Sequence, residues 1–356
     1  MKQSLISNRL SCLFERTRLV LLMTWLVLAS GLLGCQKTSK PEHDEPAVDL
    51  SANEKSVGTI TDRLDRDVLV TQPAKRIISL SPATTELLFA LNLKDSIIGV
   101  TTNCNFPPAA LEISQIGGGT LESISLEEIV SAKPDLVVCH WEYHQPLLES
   151  LDRLGIRSLA IGARNLDELF EEAKWVGLMT DRVDDADSLI TKMSARRDKL
   201  SKFATEAKTE PPLKVFYEVW DDPLMTAGSG SFIDEVLSLA GLENIAGETE
   251  IRYPRLSSET VLRADPDLIL APTSHFENID IAEIRSRPGW QNLSAVKKER
   301  IYLISGDEIS RCGPRVLDAL EEIVRVAYPE ASASLPQGSN IFVQDADRSD
   351  QQKAQP

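Results

Sequence analysis

The chain has 356 residues, and 38 Lys and Arg against 54 Asp and Glu give it a formal charge of −16. Its 42% apolar and 26% charged residues are ordinary globular usage, which excludes global disorder, collagen-like repeats and a disulfide scaffold, and the length suggests two or three compact units. So acidic a chain is a poor polyanion binder, which sets nucleic acid aside as a partner, and five cysteines are too few for a disulfide framework.

In chain order, Lys2, Arg9, Arg16 and Arg18 precede an apolar run of 15 residues from Leu19 to Leu33. A helix of that length spans about 22 Å, short of a roughly 30 Å hydrocarbon core. Residues 1–34 are therefore expected to be a signal peptide, not a permanent span. The run ends in Leu32-Leu33-Gly34-Cys35, which resembles the lipobox of bacterial lipoproteins. That resemblance implies a lipidated Cys35 and a protein held at a membrane surface. Gln36 is not the Asp that marks retention in the inner membrane. Without residues 1–34 the balance is 34 − 53 = −19 over 322 residues. Residues 35–56 are polar and are expected to form a flexible tether. The polar tail, 331–356, is expected to be disordered.

The body contains one unit twice. Ser125 to Val138 lies on Ser257 to Leu270, with Ser, Glu, Ala, Pro, Asp and Leu coinciding. Before it, Glu86 to Leu93 lies on Glu235 to Leu242, in the same order. Each unit alternates strand and helix. In the first, strands are predicted at Arg76–Leu80, Ser96–Val100, Leu136–Val138 and Ile156–Ile161. Its helices are predicted at about Thr85–Leu91, after the turn Ser81-Pro82-Ala83-Thr84, and at Leu126–Ala132. The second repeats the scheme with strands at Lys214–Val219, Leu268–Leu270 and Ile301–Ile304, and a helix at about Phe232–Ala240. Such alternation implies parallel sheets flanked by helices. Between the units, Asp184 to Lys208 has no Gly or Pro and has helical apolar spacing, predicting a rod of about 37 Å. The fold class is thus α/β, with two similar lobes, 57–165 and 209–330, joined by connecting helices over 166–208.

Several motifs now fall in order: the lipobox, Thr61-Asp62-Arg63-Leu64-Asp65-Arg66, Arg76 to Glu86, Lys133-Pro134-Asp135-Leu136-Val137, the rod, and Gly313-Pro314-Arg315. Together they resemble the helical-backbone class of periplasmic substrate-binding proteins of ABC importers over about residues 57–328. Within that class the likeness is greatest to the cobalamin binders; ferric-siderophore and haem binders share most of the motifs. The resemblance implies two lobes clamping a ligand, a lipid-anchored periplasmic monomer, a small-molecule corrinoid or iron chelate as ligand, and an ABC permease as partner. It implies no cofactor besides the transported ligand.

In α/β sheets, ligands sit beyond the carboxyl ends of the strands, so the loops after Leu80, Val100, Val138, Val219, Leu270 and Ile304 are expected to line the cleft. Asn103 stands where the cobalamin binders have an aromatic; an Asn can hydrogen-bond a corrin amide but cannot stack on it, and it also suits an ordinary turn. Trp141 and Tyr143 offer apolar faces with polar tips. Trp220 is the foremost platform candidate in the second lobe, and Tyr253 stands where the cobalamin binders have a Trp. The last loop, with Asp307, Glu308, Ile309, Ser310 and Arg311, corresponds to a ligand-contacting loop of those binders; Glu308 and Ile309 replace aromatics. Arg252, Arg255 and Arg311 would build the cationic pocket that an anionic iron chelate needs. His140 and His144, four apart, have metal-site spacing, with His275 the only other His in the body; the cleft aromatics speak for an amphipathic ligand instead. Cys104, Cys139 and Cys312 fall in predicted cleft loops, and a Cys104–Cys139 disulfide is expected in an oxidising compartment. Glu127 and Glu259 occupy equivalent places in the two units. They complement a helix dipole, and the resemblance implies that they dock onto the two permease subunits. GxSxG, HExxH and a strand-borne GxGxxG are all absent, so nothing supports an enzyme.

Overall fold

A computed structural model describes residues 58–273 and 280–335. The signal peptide, Cys35, the tether, His275 and the tail beyond residue 335 lie outside the described residues.

The body opens with a hairpin, β1 (Gly58–Thr61) and β2 (Asp67–Val70), paired antiparallel. The motif from Thr61 to Arg66 is its turn. The Asp62 carboxylate accepts the backbone N–H groups of Leu64 at 3.0 Å and Arg66 at 3.2 Å, and pairs with the Arg66 guanidinium at 2.7 Å. It also accepts the Ala160 N–H at 3.1 Å, which ties the hairpin to the edge of the first sheet.

That sheet has the order β4-β3-β5-β6 and is wholly parallel: β3 (Ile77–Ser79), β4 (Ile97–Val100), β5 (Leu136–His140) and β6 (Ser158–Ile161). Helices α1 (Pro82–Ala90), α2 (Leu126–Ala132) and α3 (Gln145–Arg153) connect the strands. The strands are buried on both faces, as parallel sheets require. Two helices follow, α4 (Leu166–Thr180) and the rod α5 (Val183–Ala207) of 25 residues. Their close approach uses Gly177, where a Cβ would stand 2.8 Å from that of Ala186.

The second lobe has the order β11-β10-β7-β8, with β9 also on β7. Its strands are β7 (Lys214–Asp221), β8 (Leu224–Thr226), β9 (Glu243–Asn244), β10 (Leu268–Thr273) and β11 (Ile301–Ser305). Its helices are α6 (Phe232–Leu239), α7 (Ser258–Ala264), α8 (Ile281–Ser286), α9 (Ser294–Lys297), α10 (Gly306–Ile309), α11 (Val316–Ala327) and α12 (Pro329–Ser332). One short strand departs from the expected parallel sheet: β8 runs antiparallel to β7. Only Asp222 and Pro223 separate the two strands, and a parallel crossover needs a dozen residues or more.

The internal repeat is a structural one. Ser125 caps α2 by accepting the Glu128 N–H, and Ser257 caps α7 by accepting the Thr260 N–H, both at 3.1 Å. Both helices have seven residues and end in a left-handed residue, Lys133 or Asp265. Each leads into a strand with parallel neighbours on both sides, β5 or β10.

One apolar cluster runs through both lobes, from Ile77 and Leu88 through Leu169 and Met193 to Val215 and Leu320; separate clusters cover the outer face of each sheet. This arrangement overturns the expected Cys104–Cys139 disulfide, for both thiols are free. Cys139 lies within β5 and packs in the outer cluster of the first sheet, while Cys104 packs in the shared cluster on the other face. The sheet itself separates them. Cys104 instead shares a hydrogen bond of 3.2 Å with the Thr101 hydroxyl.

Candidate functional site

A cavity of about 360 Å³ lies between the lobes, at the carboxyl ends of the parallel strands. Two helix starts face it. Ser81 and Pro82 open α1, and Ser231 and Phe232 open α6; each serine caps its helix, Ser81 accepting the Thr84 N–H at 3.3 Å and Ser231 the Asp234 N–H at 3.2 Å.

Of the nine residues expected to contact ligand, the structure brings four to this cavity: Asn103, Tyr253, Ser310 and Arg311. The other five stand elsewhere. Trp141 turns its indole N–H to the Gly162 carbonyl at 3.0 Å and packs against the outer cluster. Trp220 donates to the Asp222 carbonyl at 2.8 Å and is 43% exposed as a residue. Asp307 pairs with Arg311 at 2.7 Å, Glu308 pairs with Arg315 at 3.4 Å, and Ile309 is buried in the core. Arg255 does not line the cavity either, whereas Tyr143, Arg252, His140 and His144 do. Glu142, Arg164, Glu172 and Phe232 line it without having been singled out from the sequence. Three of these four are ionic, and their placement depends on partners far along the chain.

The floor of the cleft is an ion-pair network between the lobes. Glu86, 1% exposed on α1, accepts from Arg315 at 2.7 and 3.0 Å and from Arg311 at 3.3 Å. Burial alone would weaken the Arg315 charge, but the bonds to Glu86 outweigh it and hold the guanidinium's pKa above its ordinary value. The Arg315 guanidinium also lies 3.9 Å from the centre of the Phe106 ring. Asn105 joins the network, accepting from Arg311 at 2.8 Å and donating to Asp307 at 3.1 Å. At the opposite end, Arg252 of the second lobe reaches Glu142 of the first at 3.0 Å. Along the wall, Glu172 is buried against Arg63 at 2.8 Å and accepts the N–H groups of Gly162 and Ala163.

Each of the three cavity arginines therefore has a carboxylate: Arg164 has Glu168 at 2.6 Å, Arg252 has Glu142, and Arg311 has Asp307 and Glu86. Cys312 also lines the wall. Burial, reinforced by Glu172, Glu235 and Glu168, raises its thiol pKa well above the ordinary value, so it presents a neutral S–H and not a thiolate. Burial likewise raises the Tyr143 and Tyr253 hydroxyls. The wall is thus aromatic, apolar and internally neutralised. Among the described residues there is no group of three or more His, Cys, Asp or Glu that could hold a metal ion.

Comparison with known proteins agrees with this geometry. A family model described as periplasmic binding protein matches residues 77–308. The chain is 27% identical over 310 residues to YvrC of Bacillus subtilis, described as an ABC transporter substrate-binding lipoprotein, covering 86% of this chain and 95% of that one. It is 31% identical over 256 residues to a vitamin B12-binding protein of Vibrio cholerae, covering 70% of this chain and 88% of that one. The crystal structure of a possible iron-binding, periplasmic solute-binding protein of Staphylococcus epidermidis superimposes with a TM-score of 0.64 at 28% identity, over 72% of this chain and 100% of that one.

Proposed function

Because the chain belongs to the periplasmic binding protein family, we propose that it captures cobalamin or a related corrinoid and delivers it to the permease of an ABC importer. The observation that carries the ligand class is the neutralised cleft. Ferric siderophores and haem are commonly anionic and ask for cations free to receive them. Here Arg164, Arg252 and Arg311 are each committed to a carboxylate of the protein itself. A corrinoid asks for apolar faces and hydrogen-bonding tips, which Tyr143, Phe232, Tyr253 and Asn103 supply. A whole corrinoid exceeds a cavity of about 360 Å³, so part of it would remain outside, against Tyr143, 65% exposed, and Tyr253, 37% exposed. The alternative, an iron-chelate ligand, is favoured by the likeness to the S. epidermidis protein.

Two partner roles belong to the same reading. Lipidation of Cys35 would anchor the protein, in keeping with the lipoprotein description of the B. subtilis relative. Glu127 and Glu259, exposed in the first turns of the equivalent helices α2 and α7, would dock one lobe on each permease subunit.

Calorimetry with cyanocobalamin, haemin and a ferric hydroxamate tests the ligand class. Cyanocobalamin is expected to bind and the two iron ligands to bind far more weakly. Binding of an iron ligand with none of cyanocobalamin would replace this reading by the alternative.

A further inference from the structure

Strand β5 carries its last residues past the end of its neighbour β3. On that side the final ladder bond runs from Leu80 N–H to the Val138 carbonyl at 3.0 Å, and the next N–H, that of His140, has no strand to meet. The chain closes on itself instead. His140 N–H donates to Nδ1 of His144 at 3.1 Å, and His144 N–H donates back to the His140 carbonyl at 3.0 Å. Inside this turn, Glu142 N–H donates to Nδ1 of His140 at 3.2 Å.

A backbone N–H can only donate, so both Nδ1 atoms are acceptors and carry no proton. A neutral imidazole accepting at Nδ1 holds its proton on Nε2. Turning either ring over would set a C–H against the N–H and forfeit the bond. Among the described residues neither Nε2 has a hydrogen-bond partner, and both imidazoles line the cavity. The His140 ring is clamped in place. It stacks on Tyr143 with centroids 4.4 Å apart, and Gly162, at φ +145°, stands so close that a Cβ there would lie 2.6 Å from Nε2. His144 is 3% exposed. Burial, with His144 and Arg252 adding to it, lowers the His140 pKa to about 4, and burial lowers that of His144. Both rings are neutral at pH 7.

We propose that His140 and His144 form a paired donor station, offering two Nε2–H groups to carbonyl oxygens of the bound ligand, and that neither histidine ligates a metal. The inference rests on the corrinoid reading above for the identity of the acceptors, which are the peripheral carboxamides. Metal ligation through Nε2 would require the proton on Nδ1, pointing at a backbone N–H and breaking the turn. Neutral donors satisfy an amide carbonyl without bringing an uncompensated charge into a cleft whose cations are already paired.

The test uses the mature protein and four single variants, with cyanocobalamin as probe. His140→Asn and His144→Asn keep an oxygen able to accept the backbone N–H but lack the distal donor. His140→Gln and His144→Gln can place an amide N–H near the Nε2 position. Each Asn variant is expected to bind about tenfold more weakly at pH 7.5, with an unchanged unfolding midpoint at that pH, and each Gln variant to recover most of the loss. Nitrogen-15 spectra of the free protein are expected to show both rings as neutral Nε2–H tautomers. Aquocobalamin, whose cobalt-bound water an imidazole can displace, is expected to bind without a histidine-dependent shift of its visible bands. Tight wild-type binding with equal affinity in the Asn variants, or a histidine-dependent shift, would overturn the donor station and leave the corrinoid reading standing. Failure of wild type to bind any corrinoid would overturn both.

Discussion

Burying an imidazole disfavours its charged form, and at His140 this has a thermodynamic consequence. The unfolded ring titrates near 6.5, whereas the folded one is lowered to about 4 by burial, His144 and Arg252, against an opposing pull from Glu142. Between those values the unfolded chain binds more protons than the folded one, so stability rises with pH. The His140 contribution is fully present above pH 6.5 and is lost as pH falls toward 4. From pH 7.5 to pH 5 the loss is on the order of 2 kcal/mol. Urea unfolding of wild type and His140→Asn at both pH values isolates it from the carboxylates, which titrate in both proteins. The unfolding free energy of wild type relative to the variant should fall by about that amount from pH 7.5 to pH 5, and a constant difference would show that His140 is not the titrating group. The sequence was unevenly informative at this scale. Tyr253 and Arg311 could be assigned to the cleft only through the family resemblance, Tyr253 standing where the cobalamin binders have a Trp and Arg311 in a loop that corresponds to a ligand-contacting one, and both line the cavity. The directions of Trp141 and Trp220 could not be read from the sequence, for a tryptophan's direction is decided by which carbonyl receives its N–H, here those of Gly162 and Asp222. The histidine spacing was visible, but the backbone donors that fix the tautomers depend on where β3 stops.

Two helices of seven residues each carry the same sequence of devices: a serine cap, a glutamate in the first turn, a left-handed exit and a buried strand. The repeat was legible because each device is a local choice that a few residues express. The β7–β8 hairpin was not, since Leu224-Met225-Thr226 is too short to show alternation, and only its two-residue connection betrays it. The first-turn glutamates have an ordinary use, complementing the helix dipole for a few tenths to about 1 kcal/mol. Glu259 also pairs with Arg263 at 3.0 Å, with both side chains more than 70% exposed, so little stability rests on it. Carboxylates that contribute so little to the fold, at the same place in both lobes, suit a two-fold partner. The double variant Glu127→Arg, Glu259→Arg is expected to abolish uptake through the cognate permease while leaving the unfolding free energy within about 1 kcal/mol and ligand affinity unchanged. Surviving uptake, or a parallel collapse of ligand binding, would refute docking.

At the scale of the whole molecule, the two lobes are joined unequally along the cleft. Beneath it they share one apolar cluster through α4 and α5, and α11 is tied to the rod by Arg196, which pairs with Asp318 and Glu321. At its floor Glu86 is buried between two arginines of the other lobe, and removing one partner of such a pair costs about 3–5 kcal/mol. The mouth is held differently. The Glu142–Arg252 bridge has side chains 37% and 39% exposed, and an exposed pair of this kind contributes about 0–1 kcal/mol. A clamp with a firm floor and a weak latch opens at the latch. On the corrinoid reading, a ligand larger than the cavity of about 360 Å³ would lie across the rim, so its entry is expected to part Glu142 from Arg252. Glu142→Gln keeps the side chain's shape and removes the ionic attraction. Stopped-flow mixing with cyanocobalamin should show association up to about fivefold faster in this variant, the factor that corresponds to about 1 kcal/mol. Its unfolding free energy should stay within about 1 kcal/mol of wild type, whereas Arg315→Ala should lose several. An association rate that does not respond to Glu142→Gln would mean that the ligand enters without breaking the bridge, and the latch would have to be sought elsewhere along the rim.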